Sequence, residues 1–251
     1  MTMNFFEKFM KKTKGNKEYI EQEIKAIFSK SDHIVSNDTE KRLDNILEDK
    51  VGKEMILSNI IKRNTKVVNN PDITDGLIYQ KILKSQDNTC VQRLLFSLPN
   101  GIIKLKKSEK INYQPLQNLL IKQNFQEADK LTQTYLCKLV EIETKNSKNW
   151  LYFTDIQFIP KTDLFQIDLL WKIYSKGKFG FSVQKEIWVK YNEQWDKLWE
   201  KINWLKIENG IMKRYPQEFT WTTDAPKGHL PLFNQLRGTQ TLFYLFNSID
   251  W

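Results

Sequence analysis

The residues best suited to chemistry lie in one stretch, KIENGIMKRYPQEFTWTTDAPKGHLPLFNQLR, running from Lys206 to Arg237. Pro216, Pro226 and Pro231 forbid a continuous helix through it. Yet it carries Ile211, Met212, Tyr215, Phe219, Trp221, Leu230, Leu232 and Phe233, too much apolar surface for a disordered tether. Between these groups stand Lys213, Arg214, Lys227, His229 and Arg237. Flat apolar walls with a few cations suit a planar amphiphilic ligand bearing carboxylates, because rings stack on aromatic faces and guanidinium forks grip acid groups. The same composition also describes an irregular cap packed over a helical core, and the residues alone leave both readings open.

Other chemistries find little support. Cys90 and Cys137 have no partner at metal or redox spacing and read as small core hydrophobes, and His33 and His229 lack the cysteine clusters a structural zinc site needs. No nucleophile elbow, complete phosphate loop or dinucleotide fingerprint is present. The run GKFGFS at 177–182 follows a helix rather than a strand, so it reads as a tight helix-to-helix turn. The acid pairs Asp163 with Asp168 and Glu141 with Glu143 have no neighbouring histidine and read as capping or solvated groups. A chain with this inventory is expected to bind rather than to catalyse.

The elements that must position the late stretch read as helices throughout, so the expected fold class is all-α. Only 9 Gly and 7 Pro occur in 251 residues. Residues 1–103 read as an N-terminal bundle of short helices. Its apolar stripes are Ile20, Ile24, Ile27 and Phe28; Leu43, Ile46, Leu47 and Val51; Met55, Ile56, Ile60 and Val67; Leu77, Ile78, Ile82 and Leu83; and Val91, Leu94, Leu95 and Leu98. Asn37, three residues before Glu40, is the expected cap of the second helix. Residues 104–112, with the lysine-rich KLKKSEK, read as a linker, and 113–251 as a second helical domain. There Leu116, Leu119 and Leu120 begin one helix; Ala128, Leu131, Tyr135, Leu139 and Ile142 mark the buried side of a longer one. Thr162 or Asp163 is the expected cap of a helix carrying Leu164, Ile167, Trp171 and Tyr174, and Ser182 that of the next. All 8 Trp lie between Trp150 and Trp251. Trp171, Trp188, Trp195 and Trp199 sit at helical spacing and are expected in the core, whereas Trp221, and secondarily Trp204, are expected at a ligand.

The strings DIQFIPKTDLFQIDLLWKIYSKGKFGFSVQKEIW and FTWTTDAPKGHLPLFNQLRG, with the Leu-Leu and Glu-Ala-Asp pattern between Leu119 and Asp129, resemble the signature segments of the Genomes Uncoupled tetrapyrrole-binding family. These are accessory proteins of magnesium chelatase in chlorophyll synthesis. The resemblance runs from about Tyr113 to Phe246, and the tail Phe246-Asn-Ser-Ile-Asp-Trp251 departs from a frequent His-Pro-Ala ending. It implies a cupped-hand, all-helical domain that holds protoporphyrin IX and Mg-protoporphyrin IX as ligands, with no intrinsic cofactor and no catalysis of its own. It also implies that the chain activates magnesium chelatase through the large porphyrin-binding subunit, and that it limits porphyrin phototoxicity or reports porphyrin status. Cyanobacterial members carry a separate N-terminal bundle, matching residues 17–101. In the family, porphyrin contacts come from a loop here at about Glu143–Phe153 and from the late stretch. The carried-over ligand contacts are therefore Arg237, Arg214 and Lys227 for the propionates and Leu139, Val140, Phe153, Ile211, Met212, Tyr215, Phe219 and Trp221 for the palm. Arg237 has an alternative role in tying the stretch to the helix near Gly238, and His229 reads either as an axial magnesium ligand or as a hydrogen-bonding anchor.

With 39 Lys and Arg against 30 Asp and Glu the net charge is +9, which raises a rival reading, a basic helical module that binds nucleic acid or an anionic membrane surface. The charge is spread over both halves without a dense basic-aromatic string, so no nucleic acid partner is expected. The start MTMNFFEKFMKKTKGNKEY is too short and too rich in lysine for a secretory signal. The resemblance implies the plastid stroma of a chloroplast, with peripheral contact with chloroplast membranes, or the cytoplasm of a cyanobacterium.

Overall fold

The computed structural model describes residues 5–29, 34–65, 71–105, 111–206, 210–232 and 239–248, the first twelve of these (5–16) by their backbone alone. Among the described residues the fold is all-α, the only extended pairing being an isolated bridge between Leu205 and Met212. None of the described helices is long and apolar enough to cross a membrane. By its contacts the chain divides into two compact units, Met1–Ile102 and Ile103–Trp251. Lys107 and Lys110 of the expected linker, and Val67 of the third stripe, lie outside the described residues.

The first unit consists of α1 (Phe5–Ser29), α2 (Asn37–Glu48), α3 (Lys50–Thr65), α4 (Ile73–Leu83) and α5 (Asn88–Ser97). Helix α3 touches the other four. Ile24, Ile27, Leu43, Ile56, Leu57, Ile60, Ile78 and Leu94 fill the core, in agreement with the three-and-four spacing. Two local expectations shift. Ser36, not Asn37, caps α2, its hydroxyl accepting from Thr39 N at 3.1 Å, and Val51 opens α3 with an exposed side chain. Helix α4 starts from a reciprocal box in which Asp72 accepts from Asp75 N and Asp75 accepts from Asp72 N, each at 3.0 Å. Arg63 closes it with a hydrogen bond to Asp75 at 3.0 Å and lies over the Phe28 ring.

The second unit consists of α6 (Gln114–Ile121), α7 (Phe125–Thr144), the short 3-10 helix η1 (Phe153–Phe158), α8 (Lys161–Tyr174), α9 (Phe181–Lys190), α10 (Trp195–Lys201) and α11 (Gln240–Ser248). The buried side of α7 is rotated from the expected stripe. Thr132, Leu136 and Val140 are buried together with Ala128 and Leu139, while Leu131, Tyr135 and Ile142 are half-buried. The reason is a polar contact: the Thr132 hydroxyl accepts from the Trp171 indole at 3.0 Å and donates to Ala128 O at 2.8 Å, which satisfies a tryptophan N–H inside the core. Phe125 stacks on the same indole at 5.9 Å.

Helix α8 begins after Pro160 rather than at a Thr162 or Asp163 cap, and Asp163 instead accepts from the buried Tyr113 hydroxyl at 2.7 Å. Gly180, not Ser182, precedes α9. Its φ of +139° lies in the region that favours glycine, and an added Cβ would stand 2.6 Å from Asp168 Oδ1. That approach lets Asp168 accept from Ser182 N at 2.9 Å and so cap α9 from the preceding helix. The GKFGFS run is thus a helix-to-helix turn, as its sequence predicts.

Candidate functional site

The described part of the late stretch, 206 and 210–232, is held by a set of clamps, several of them side chains of the helical body that take a backbone group of the loop. Asn203, at φ +58°, turns the chain out of α10 and Trp204 N bonds back to Trp199 O at 2.9 Å. A short antiparallel pairing follows, with Lys206 N on Ile211 O and Lys213 N on Trp204 O, both at 2.8 Å. Glu218 then accepts from Arg214 N at 2.6 Å and pairs with the Lys206 ammonium, while Lys213 donates to Asn203 Oδ1 at 2.8 Å. Further on, Lys178 donates to Thr223 O, and the Gln184 amide donates to both Gly228 O at 2.9 Å and Pro231 O at 2.8 Å. Asp129 of α7 accepts from Leu232 N at 2.6 Å.

His229 is fully buried and both of its ring nitrogens are engaged. Nδ1 faces Ile202 O at 2.6 Å and therefore donates, and Nε2 accepts from Thr220 N at 3.1 Å. Burial pushes its pKa down to about 4, so the ring is neutral. This histidine is an internal brace between α10 and the loop, with no nitrogen left for a metal. Burial acts in the opposite sense on two carboxyls, raising Asp129 to about 8 and Asp168 to about 6.

On the outside of this braced loop stand Ile211, 57% exposed, and Tyr215, 36% exposed. Tyr215 meets Trp221 edge to face at 5.9 Å, and the Trp221 indole is pinned by its hydrogen bond to Pro216 O at 3.0 Å. Met212 is half-buried beside Leu205. Phe219 is buried beneath, against Trp204, Trp221 and His229. Arg214 is exposed, and among the described residues its guanidinium has no ion-pair partner. Ile211, Met212, Arg214, Tyr215, Phe219 and Trp221 are therefore gathered by one short loop, with an aromatic pair and a cation on its surface.

The other expected contacts are placed elsewhere. Leu139 and Val140 are completely buried in α7, so they form no part of a surface. Phe153, at the start of η1, packs on Tyr244 of α11 at 5.2 Å. Lys227 is already paired with Glu186 of α9 at 2.8 Å. Trp204 is fully buried and stacks on Trp199 at 5.2 Å, which removes it from the surface where a ligand contact was expected. Arg237, with Phe233 and Gly238, lies outside the described residues.

The residues missed by sequence reasoning are the clamps Asp129, Lys178 and Gln184. Asp129 and Gln184 sit on helix faces whose neighbours are apolar, and a polar residue at such a position was the available signal. Among the described residues no group of three or more His, Cys, Asp or Glu side chains is arranged to hold a metal ion.

A model of the GUN4-like family matches residues 106–248 of the chain. The chain belongs to the GUN4-like family. The ycf53 protein of Porphyra purpurea is 50% identical over 177 residues, which are 70% of this chain and 73% of that protein. The GUN4-like resemblance extends to the tetrapyrrole-binding protein, chloroplastic, of Arabidopsis thaliana, 36% identical over 137 residues, covering 52% of this chain and 51% of that one. The solved structure of GUN4 from Chlamydomonas reinhardtii is 39% identical and superposes with a TM-score of 0.51, covering 58% of this chain and 93% of that structure. The GUN4-like match thus spans most of the second unit, including the braced loop.

Proposed function

We propose that this chain binds a tetrapyrrole, protoporphyrin IX and its magnesium derivative, at the braced loop, without catalysis of its own. The observation that carries the reading is the pinned Tyr215–Trp221 pair on one loop with the exposed Arg214. A porphyrin offers a flat apolar ring and two carboxylates, and this surface offers aromatic edge and face plus a planar cation with free donors. Ile211 extends the apolar area, and Arg237 is a second propionate partner. Phe153 is a contact from the η1 side. The name of the Arabidopsis relative supports the ligand class and the plastid setting.

In this reading the chain delivers or shields porphyrin for magnesium insertion and raises the output of magnesium chelatase through its large porphyrin-binding subunit, in a chloroplast or a cyanobacterial cell. Titration with deuteroporphyrin, followed by quenching of protein fluorescence, tests the ligand. Saturable quenching that weakens in Arg214→Ala and Arg237→Ala supports the reading. Absence of saturation by the unaltered protein sinks it, and retention of RNA or acidic vesicles by a protein that ignores porphyrin would establish the basic-module rival.

A further inference from the structure

Four indoles of the second unit form a continuous stack that ligand binding at the loop does not require. Trp188 lies on Trp195 at 4.9 Å and 30°, Trp195 on Trp199 at 5.3 Å and 28°, and Trp199 on Trp204 at 5.2 Å and 6°. The sequence builds it simply: Trp195 and Trp199 are one turn apart on α10, and the left-handed Asn203 folds Trp204 back under the helix end. Offset stacking is one of the two arrangements aromatic pairs favour, and three such contacts in succession make one continuous path of ring faces through the unit. At the Trp204 end, Phe219 stands 6.4 Å from both Trp204 and Trp221, which links the stack to the surface pair Trp221–Tyr215.

The indole N–H groups add a second, independent observation. Trp204 donates to His229 O and Trp221 to Pro216 O, and Trp188 Nε1 is buried without a partner. A carbonyl oxygen does not accept a proton outright, and a buried N–H with no hydrogen-bond partner has no acceptor to lose its proton to. An indole that lost an electron at these three positions would keep its proton and so remain able to take an electron back from its neighbour. Trp195 is different, since it is half-buried and part of its side chain is open to solvent.

We propose that the stack is a one-electron relay that repairs an oxidised macrocycle bound at the loop, an assignment that rests on the tetrapyrrole reading above. A photoexcited ring passes one electron to dioxygen, leaving superoxide and the ring's π-cation radical. Trp204, through Phe219 and Trp221, returns one electron to the ring, which becomes closed-shell again. The vacancy moves to Trp199 and then to Trp195, where the indole radical cation releases its Nε1 proton to water. A soluble hydrogen-atom donor of the ascorbate or thiol class then restores the indole. The sum is one hydrogen atom removed from the donor, its electron delivered to dioxygen as superoxide and its proton to water, with ring and tryptophans unchanged. Phe219 is a bridge and not a stopping point, because a phenyl ring is too hard to oxidise.

The test uses the full chain in two arms. In the first, Thr222→Cys, exposed beside Trp221, carries a ruthenium polypyridyl photo-oxidant; Cys90 and Cys137 are buried and do not compete. A flash with an irreversible electron acceptor is expected to give an indolyl radical by transient absorption, with its yield cut several-fold by Trp195→Phe with Trp199→Phe and unchanged by Tyr19→Phe, exposed in the first unit. Trp195→Phe alone serves if the double variant does not fold. In the second arm, bound deuteroporphyrin is illuminated in air with ascorbate and should bleach several-fold faster on the stack variants. Equal radical yields in the first arm overturn the relay whatever the ligand. Failure of the unaltered protein to bind porphyrin overturns the tetrapyrrole reading, and the ruthenium arm still decides the relay.

Discussion

The carboxyl of Asp129 accepts a hydrogen bond from the backbone N–H of Leu232, 103 positions further along the chain, at 2.6 Å. It ties the end of the braced loop to the longest helix of the second unit. Burial raises the Asp129 pKa to about 8, far above the unfolded value near 4. The neutral form is therefore the one the fold favours, and its stability contribution is complete below about pH 4 and lost as pH rises through about 8. Asp129→Asn keeps an acceptor oxygen without the ionisation. The variant is expected to gain stability relative to the unaltered protein between pH 5 and pH 9, on the order of 5 kcal/mol at the upper end, in thermal melts across that range.

His229 pulls the other way. Its folded pKa of about 4 lies below the unfolded value near 6.5, so the unfolded chain binds the proton first as pH falls. Its contribution is complete above about pH 6.5 and is lost between there and about pH 4, roughly 3 kcal/mol in all. His229→Ala removes two buried hydrogen bonds and should destabilise by about 2–4 kcal/mol at neutral pH while flattening the acid limb. Urea unfolding at pH 7, 6 and 5 checks both the size and the slope.

For ligand affinity the surface cations should be unequal. Arg214 has no ion-pair partner among the described residues, whereas Lys227 is held by Glu186. Arg214→Ala is expected to weaken deuteroporphyrin binding about tenfold, the equivalent of about 1.4 kcal/mol, and Lys227→Ala by less than about twofold. Quenching titrations on both variants at one ionic strength make the comparison; a larger loss for Lys227→Ala would reverse the assignment.

Gly180→Ala should be severe for its size. The added Cβ meets Asp168 Oδ1 at 2.6 Å and the φ of +139° is closed to alanine. The loss is expected at about 2–4 kcal/mol by denaturant unfolding, with the cap of α9 displaced.

Much of this molecule was legible because spacing and chemistry agreed. The stripes Ile20–Ile24–Ile27 and Leu164–Ile167–Trp171 predict helices whose apolar sides are indeed buried, and the prolines at 216, 226 and 231 announce an irregular loop. Capping assignments slipped by one to three residues, at α2 to the adjacent Ser36, at α8 to Pro160, and at α9 because the acceptor is Asp168 of the preceding helix. The face of α7 was misjudged because Thr132 and Asp129 look solvent-facing until Trp171 and Leu232 are seen to need them. Within the candidate site, the residue types single out the 206–237 stretch, but they do not show that Lys227 is paired and Trp204 buried while Arg214 and Trp221 stay at the surface. That distinction depends on Glu186 and Trp199, whose positions only the tertiary structure supplies.

The clamps on the braced loop also order events in time. Gln184 reaches forward 44 and 47 positions to Gly228 and Pro231, and Asp129 reaches 103 to Leu232, whereas α8 and α9 join through the nearby contact of Asp168 with Ser182. Closing long loops is entropically slow, and each clamp needs α7 or α9 already formed to present its side chain. The loop is therefore expected to dock late, so that substitutions at Gln184 or Asp129 change the unfolding rate in stopped-flow denaturant jumps while leaving the folding rate nearly untouched.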